Sequence, residues 1–401
     1  MPPSEPATQP SDGRVVRTLH DGFWDLTQVI ELADGSRRVR KRSKGATAER
    51  PWGPESLRRE IRYLRSATPE AAAVLPRLLA WWDRTEGGGA IDVGYEMPFY
   101  PAHRDAGTLA KAMALAQEEI DEFQRTLADA VLTRLHATTG QDVEPLSQHM
   151  TRAVRQAFDG LTGDPAFTAL IEAEHIELNG RPALGPRAAF EANVRNTNIL
   201  ALIDGTPAVR LHGDLHLENI LWRPAIVPRD MSLREGSHCG PTKQSSWIAT
   251  ARDGEPRDDK DSETSEPRLV LIDVVSVAGV TFGLPLWDLV KYESYATGEL
   301  MALRAEKIDV MGVGDGSGRY RCRIRTEDPA LAPFIGRDWH AIFRAAYERK
   351  YGAVNRRLYR FIHGYFNAAM ALNTTGLQRQ GRLLRATEDF NAALVQPSAP
   401  M

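Results

Sequence analysis

The stretch LHGDLHLENILW, Leu211 to Trp222, contains Asp214 and Asn219 in the spacing Asp-x-x-x-x-Asn, with His212, His216 and Glu218 close by. A tight loop with this spacing can aim Asp214 and Asn219 at one centre. There an aspartate can accept a proton from a hydroxyl, and an asparagine oxygen can hold a hard cation. The apolar Ile220-Leu221-Trp222 that follows would begin a strand and anchor the loop. Farther on, LVLID (Leu269 to Asp273) delivers a second carboxylate, Asp273, at the end of an apolar strand. A carboxylate in that position is costly unless it binds something. One base, one amide and one carboxylate around a metal ion form the minimum set for phosphoryl transfer from a nucleotide.

Other elements must position these groups. VVRTL and LTQVIEL predict two strands, ADGS predicts a turn after the second, and RRVRKRSK predicts a third strand. Side chains alternate along a strand, so Val39 and Lys41 face one side while Arg38, Arg40 and Arg42 face the other. The plain alternative for so basic a run is a charged edge strand. PESLRREIRYLRS predicts a helix that starts near Pro54, with Leu57, Ile61 and Leu64 on one face and Glu60 beside that stripe. IDVGYEMPFY predicts a further strand, and Trp81-Trp82 reads as packing. The rest is predicted to be mostly helical: Leu109 to His136, Met150 to Leu161, Phe167 to Glu177, and most of the chain from Trp339 to Leu394. Residues 225–267, polar and rich in Gly, Pro, Ser and Asp, read as a mobile, dispensable insertion, and residues 1–13 as a disordered lead.

Taken in order, these residues resemble the aminoglycoside phosphotransferase family of small-molecule kinases. His212-Gly213-Asp214, Asn219, Ile272-Asp273, Gly283-Leu284-Pro285 and Trp287-Asp288-Leu289 follow its pattern of H-G-D-x-x-x-x-N, an I-D strand and a G-x-P-x-x-D segment. Lys41 stands where that family has its nucleotide-binding lysine, and Glu60 where a helix glutamate pairs with it. The resemblance covers about residues 14 to 300. It implies an α+β, two-lobed, protein-kinase-like fold. A small antiparallel lobe with one helix, 14–97, would clamp ATP or GTP, and a larger helical lobe, 98–401, would carry the catalytic loop and the acceptor. It also implies Asp214 as the catalytic base, Asn219 and Asp273 as Mg²⁺ ligands, and Lys41 on the α/β-phosphates. Glu96, Met97 and Phe99 would lie in the adenine-binding hinge, His212 would hold the loop, and Asp288 would hydrogen-bond the loop backbone. The chain departs from the usual nucleotide fingerprint in lacking G-x-G-x-x-G between its first strands, where HDGFWD supplies only Gly22. An ordinary protein kinase is disfavoured, because no Arg precedes Asp214 and no A-P-E follows Asp273.

Composition excludes several other classes. A formal net charge of -3 gives no global bias toward nucleic acid or an anionic membrane. The two cysteines, Cys239 and Cys322, are too few for a disulfide framework and suit a reducing, cytoplasmic setting. The opening residues lack the apolar core of a signal peptide. Leu269 to Trp287 is long enough to span a bilayer, but Asp273, its glycines and Pro285 favour a buried strand and loop. The family resemblance implies a hydroxylated small molecule as partner, such as an aminoglycoside or related natural product. Alternatives are a neutral or anionic sugar, an amino alcohol or a nucleoside-type acceptor, and, in a different class, an inactive nucleotide-binding module. His216 reads as a satisfied histidine and Glu218 as solvated. Arg319, Arg321, Arg323 and Arg325 alternate along one predicted strand, which reads either as an anion-facing row or as a solvated face.

Overall fold

The computed structural model describes residues 9–22, 24–45, 53–85, 91–195, 197–224, 266–275 and 279–395. The chain divides into two compact units, residues 1–138 with 212–279, and residues 139–211 with 280–401. This division differs from a boundary at 97/98, because it places the loop bearing Asp214, Asn219 and Asp273 in the same unit as Lys41 and Glu60. The predicted insertion, apart from Glu266 and Pro267, lies outside the described residues, as does Cys239.

The first unit is built on a five-stranded antiparallel sheet: β1 (Gly13–Asp21), β2 (Asp25–Leu32), β3 (Arg37–Ser43), β4 (Ala80–Thr85) and β5 (Ile91–Pro98), in the order β1-β2-β3-β5-β4. The turn between β2 and β3 is ADGS, where Gly35 takes φ +81° and the Asp34 carboxylate accepts the Ser36 amide. Along β3, Val39, Lys41 and Ser43 point inward and are buried, while Arg38, Arg40 and Arg42 point away. Charge does not consign β3 to an edge, because its outward arginines find carboxylates: Arg40 and Arg38 meet Glu96, and Arg42 meets Asp92. Ser11 also bonds Glu96 through its amide and hydroxyl, so the chain is anchored before β1 begins. Trp81-Trp82 is more than packing, since it lies within β4, a strand the sequence reading did not predict. Gly94 lets β3, β4 and β5 approach closely: a Cβ there would meet Trp82 at 2.3 Å and the Lys41 carbonyl oxygen at 2.8 Å.

The helix Gly53–Arg65 buries Leu57, Ile61 and Leu64 as its periodicity predicts, and Glu60 with them. The helix expected from Leu109 to His136 is interrupted. Ala106–Lys111 ends where Met113 adopts φ +50°, and Gln117–Ala128 runs into a π-helical turn, Asp129–Arg134. Apolar spacing persists through the break and conceals it.

The second unit is mainly helical. Arg356–Ala371 and Gly376–Leu394 form an antiparallel pair that packs with Leu146–Leu161, Pro186–Arg195 and Leu286–Ala296. Phe158, Phe190, Phe361 and Phe390 join the helices, with ring centroids 5.2–6.1 Å apart. The helix expected over Phe167 to Glu177 stops at Ile171. His175–Leu178 is a strand instead, because there the apolar period changes to two: Ile176 and Leu178 are buried, His175 and Glu177 exposed. It belongs to a four-stranded sheet with Arg181–Leu184, Arg319–Ile324 and Ile308–Met311. Among the described residues no helix is long and apolar enough to cross a membrane.

A buried charge network ties the helical pair together. His363 Nδ1 lies 2.6 Å from Asp389 and Nε2 lies 3.3 Å from Glu299, while Arg385 and Arg360 answer the same carboxylates. Burial works to lower the His363 pKa, but Glu299 and then Asp389 outweigh it and hold the imidazolium above its ordinary value. A raised histidine pKa contributes stability that is complete below the unfolded value of about 6.5 and is lost as pH rises through the folded value. His363→Gln is therefore expected to lose about 3–5 kcal/mol near pH 6, the cost of breaking a buried pair, and less in alkali. Urea denaturation of both proteins across pH checks this, and a pH-independent gap would contradict it.

Candidate active site

The catalytic loop is held by its own backbone. Gly213 takes φ +84°, a left-handed turn that lets the chain reverse between His212 and Asp214. The buried His212 ring accepts the Asp214 amide at Nδ1, 3.3 Å away. Asn219 donates its side-chain Nδ2 to the Asp214 carbonyl at 3.0 Å and to Asp214 Oδ2 at 3.3 Å. The amide nitrogen thus faces the aspartate, leaving the Asn219 side-chain Oδ1 as the atom suited to a cation. Ile220–Trp222 pairs with Leu269–Leu271, and the Asn219 carbonyl accepts the Ile272 amide at 3.0 Å. That pairing sets Asp273 beside the loop, and the Val275 amide closes onto the His212 carbonyl at 2.8 Å.

Lys41 reaches the same place from the sheet. Its Nζ lies 2.7 Å from Asp273 Oδ1, 3.0 Å from Glu60 Oε2 and 4.0 Å from Asp25 Oδ2. Burial works to lower the Lys41 pKa, but Asp273, then Glu60 and Asp25, outweigh it and hold the ammonium well above its usual value. Burial pushes Glu60 up to about 7, against the attraction of Lys41. Tyr95, directly across the sheet from Lys41, donates its hydroxyl to Glu60 at 3.0 Å.

The structure thus brings together Lys41, Glu60 and Asp273 in one cluster and Asp214 with Asn219 in another, within one unit. The proposed hinge residues have other engagements as well. The Glu96 side chain is buried under Arg40, Arg38 and Ser11; burial works to raise its pKa, but Ser11 and then Arg40 hold it below the usual value. Met97 is buried opposite Val39, and Phe99 follows the end of β5. Asp288 is fully buried in the first turn of Leu286–Ala296, in the second unit, where the helix's positive end favours a carboxylate.

Glu218 is not solvated. It is buried and receives Lys111 Nζ at 2.7 Å, because the turn Leu217–Asn219 presses it toward the helix Ala106–Lys111. The buried Asp105 caps that helix through the Thr108 amide, and burial pushes it up to about 6. His216 Nε2 lies 3.6 Å from the Asp214 carboxylate. Asp25, Tyr95 and Asp105 carried no motif. Tyr95 was nonetheless findable, since the alternation that turns Lys41 inward does the same for its cross-strand neighbour.

The chain matches the phosphotransferase enzyme family over residues 16–228. It belongs to that family. It is accordingly a phosphotransferase that transfers to a hydroxyl of a small molecule. No curated protein matches it. Similar solved structures include a glucosamine kinase with glucosamine, ADP and inorganic phosphate (13% identity, 98% of this chain and 96% of that one, TM-score 0.37). A macrolide 2'-phosphotransferase from Brachybacterium faecium is 16% identical over 96% and 92%, with a TM-score of 0.39. A choline kinase from Cryptosporidium parvum is 9% identical over 95% and 88%, with a TM-score of 0.40.

Proposed function

We propose that this phosphotransferase takes the γ-phosphoryl group of ATP or GTP, with Mg²⁺, to a hydroxyl of a natural product or sugar that is not strongly cationic. The observation that supports the reading most is the Lys41 cluster in the same unit as the bonded pair Asp214 and Asn219. Lys41 would exchange Asp273 for nucleotide phosphate oxygens while Glu60 keeps its ammonium in place. Asp214 would accept the proton of the acceptor hydroxyl as its oxygen bonds to the γ-phosphorus and the nucleoside diphosphate leaves. Asn219 and Asp273 would hold the metal. The donor set fits a hard cation, being two oxygen donors whose shell phosphate and water would complete. Among the described residues no cluster of three His, Cys, Asp or Glu offers an all-protein cage. When bound, the ion would neutralise charge on the phosphates.

The acceptor reading rests on charge. Residues 286–401 contain 17 Lys and Arg against 12 Asp and Glu, a net of +5. A polycation is attracted to acidic surfaces and repelled by basic ones. Isothermal titration with ATP and GTP, with and without Mg²⁺, is expected to show metal-dependent binding of at least one. Binding of neither would remove the kinase reading and leave a module without nucleotide. Steady-state kinetics across aminoglycosides, neutral sugars and anionic sugars then ranks acceptors. An aminoglycoside with the highest kcat/KM would overturn the charge argument and spare the transferase.

A further inference from the structure

A cavity of about 1340 Å³ opens in the second unit, lined on one side by the strand Arg181–Leu184 and on the other by the start of the helix Arg356–Ala371. Four arginines face it: Arg181, Arg356, Arg357 and Arg360. Their partners differ. Arg360 is answered by Asp389. Arg357 gives Nε to the Ala393 carbonyl, but its buried Nη2 has no acceptor among the described residues. The side chains of Arg181 and Arg356 make no ion pair or hydrogen bond among the described residues. Among the described residues the one carboxylate in the lining, Glu388, is engaged by Arg385. The first turn of the 16-residue helix carries Arg356 and Arg357 and no acidic residue. Cations there oppose the positive end of the helix dipole, so an anion would relieve both the dipole and the crowding of like charges.

The neighbouring basic row serves as a control. In the strand Arg319–Ile324, Arg319, Arg321 and Arg323 do share the exposed face, as the alternation predicts. Yet Arg319 lies 3.7 Å from Glu177, Arg323 pairs with Asp309 and Glu327, and Arg325, beyond the strand, also meets Asp309. That row is largely neutralised by its own carboxylates. The side chains of Arg181 and Arg356 in the cavity have no such carboxylate among the described residues.

We propose that this cavity binds a phosphate-bearing small molecule, with Arg181, Arg356 and Arg357 as its anion ligands. The volume exceeds what a lone phosphate needs, so the geometry points to a phosphorylated metabolite. The inference does not depend on the kinase reading, because none of these arginines belongs to the catalytic set. Isothermal titration with glucose 6-phosphate, pyrophosphate, inorganic phosphate and sodium chloride, at matched ionic strength, tests it on the wild type and on Arg181→Gln/Arg356→Gln. Both residues are exposed, so the variant should fold, and its unaltered thermal midpoint and phosphotransferase activity serve as the check. Any phosphate bound at the catalytic loop is common to both proteins. Expected is a glucose 6-phosphate affinity at least about tenfold weaker in the variant, a lower bound for the loss of two charge-assisted contacts. A larger loss for pyrophosphate or phosphate than for the sugar phosphate would assign the site to the inorganic ion and overturn the metabolite. Equal affinities in both proteins, or heats reproduced by chloride alone, would overturn the site.

Discussion

Asp214→Asn is expected to lower kcat by about three orders of magnitude while nucleotide affinity stays within a few-fold, since positioned general bases typically contribute ~10²–10⁴. The asparagine keeps an oxygen to accept Asn219 Nδ2, which lies 3.3 Å from Asp214 Oδ2, so the loop should retain its shape. What it loses is the capacity to take the acceptor's proton. That proton moves only in the transfer step, so the loss belongs to kcat and not to nucleotide binding. Asp214→Ala removes the acceptor oxygen as well and should disturb Asn219, adding a loss of metal-dependent affinity. Single-turnover kinetics beside calorimetry separates the two variants. If Asp214→Asn weakened nucleotide binding while transfer per bound nucleotide persisted, Asp214 would be a metal or phosphate ligand and not the base.

Lys41→Met should produce the second large effect, on activity and stability together. The substitution preserves the apolar stem and removes the ammonium that now lies 3.0 Å from Glu60 and 2.7 Å from Asp273. Removing one partner of a buried pair leaves the other charge uncompensated, at a cost of about 3–5 kcal/mol. The penalty should depend on pH. Burial already pushes Glu60 up to about 7, and without Lys41 it should rise further. A carboxylate whose folded pKa exceeds its unfolded value binds its proton more tightly in the folded state. Stability therefore falls as pH rises from the unfolded value toward the folded one. The variant should be closest to wild type near pH 5 and weakest above neutrality. Glu60→Gln in the same chain should restore much of the stability and none of the nucleotide affinity, a non-additivity that a double-mutant cycle reads directly. Additive losses would mean that Lys41 and Glu60 act independently.

Both predictions concern residues that stand out in the sequence, for a physical reason. Phosphoryl transfer needs charged groups on apolar elements, and a charge within an apolar strand or helix face breaks its pattern. Glu60 beside Ile61 and Asp273 after LVLI are exceptions of this kind, whereas Lys41, inside the basic run RRVRKRSK, is singled out by sharing the Val39 side of its strand. The first, second, third and fifth strands of the sheet announce themselves by alternation and a glycine turn. The partners of these groups were harder to find. Tyr95, Asp25 and Lys111 depend on which strand or helix lies opposite, and that information resides in tertiary contacts. Glu218 looked solvated because its neighbours in the chain are polar, whereas the turn carries it inward. Of the sheet containing His175–Leu178, only the strand at Arg319–Ile324 was legible, because the other strands are short and adjoin helices with similar apolar content.

The backbone after Leu271 has a further consequence. Asp273 adopts φ +55° and Val275 φ +52°. The left-handed region is tolerable for aspartate but foreign to a β-branched side chain, and each such residue costs on the order of 1–3 kcal/mol. Local preference and native structure therefore disagree where the carboxylate must face Lys41. In the language of energy landscapes this segment is frustrated, and its shape is imposed by the Asn219–Ile272 and His212–Val275 bonds around it. A stretch whose geometry is enforced from outside should be among the last parts of the unit to reach native order and among the first to leave it. Competence for transfer would then arrive only once the rest of the unit is in place, which makes catalysis itself a late reporter of complete folding.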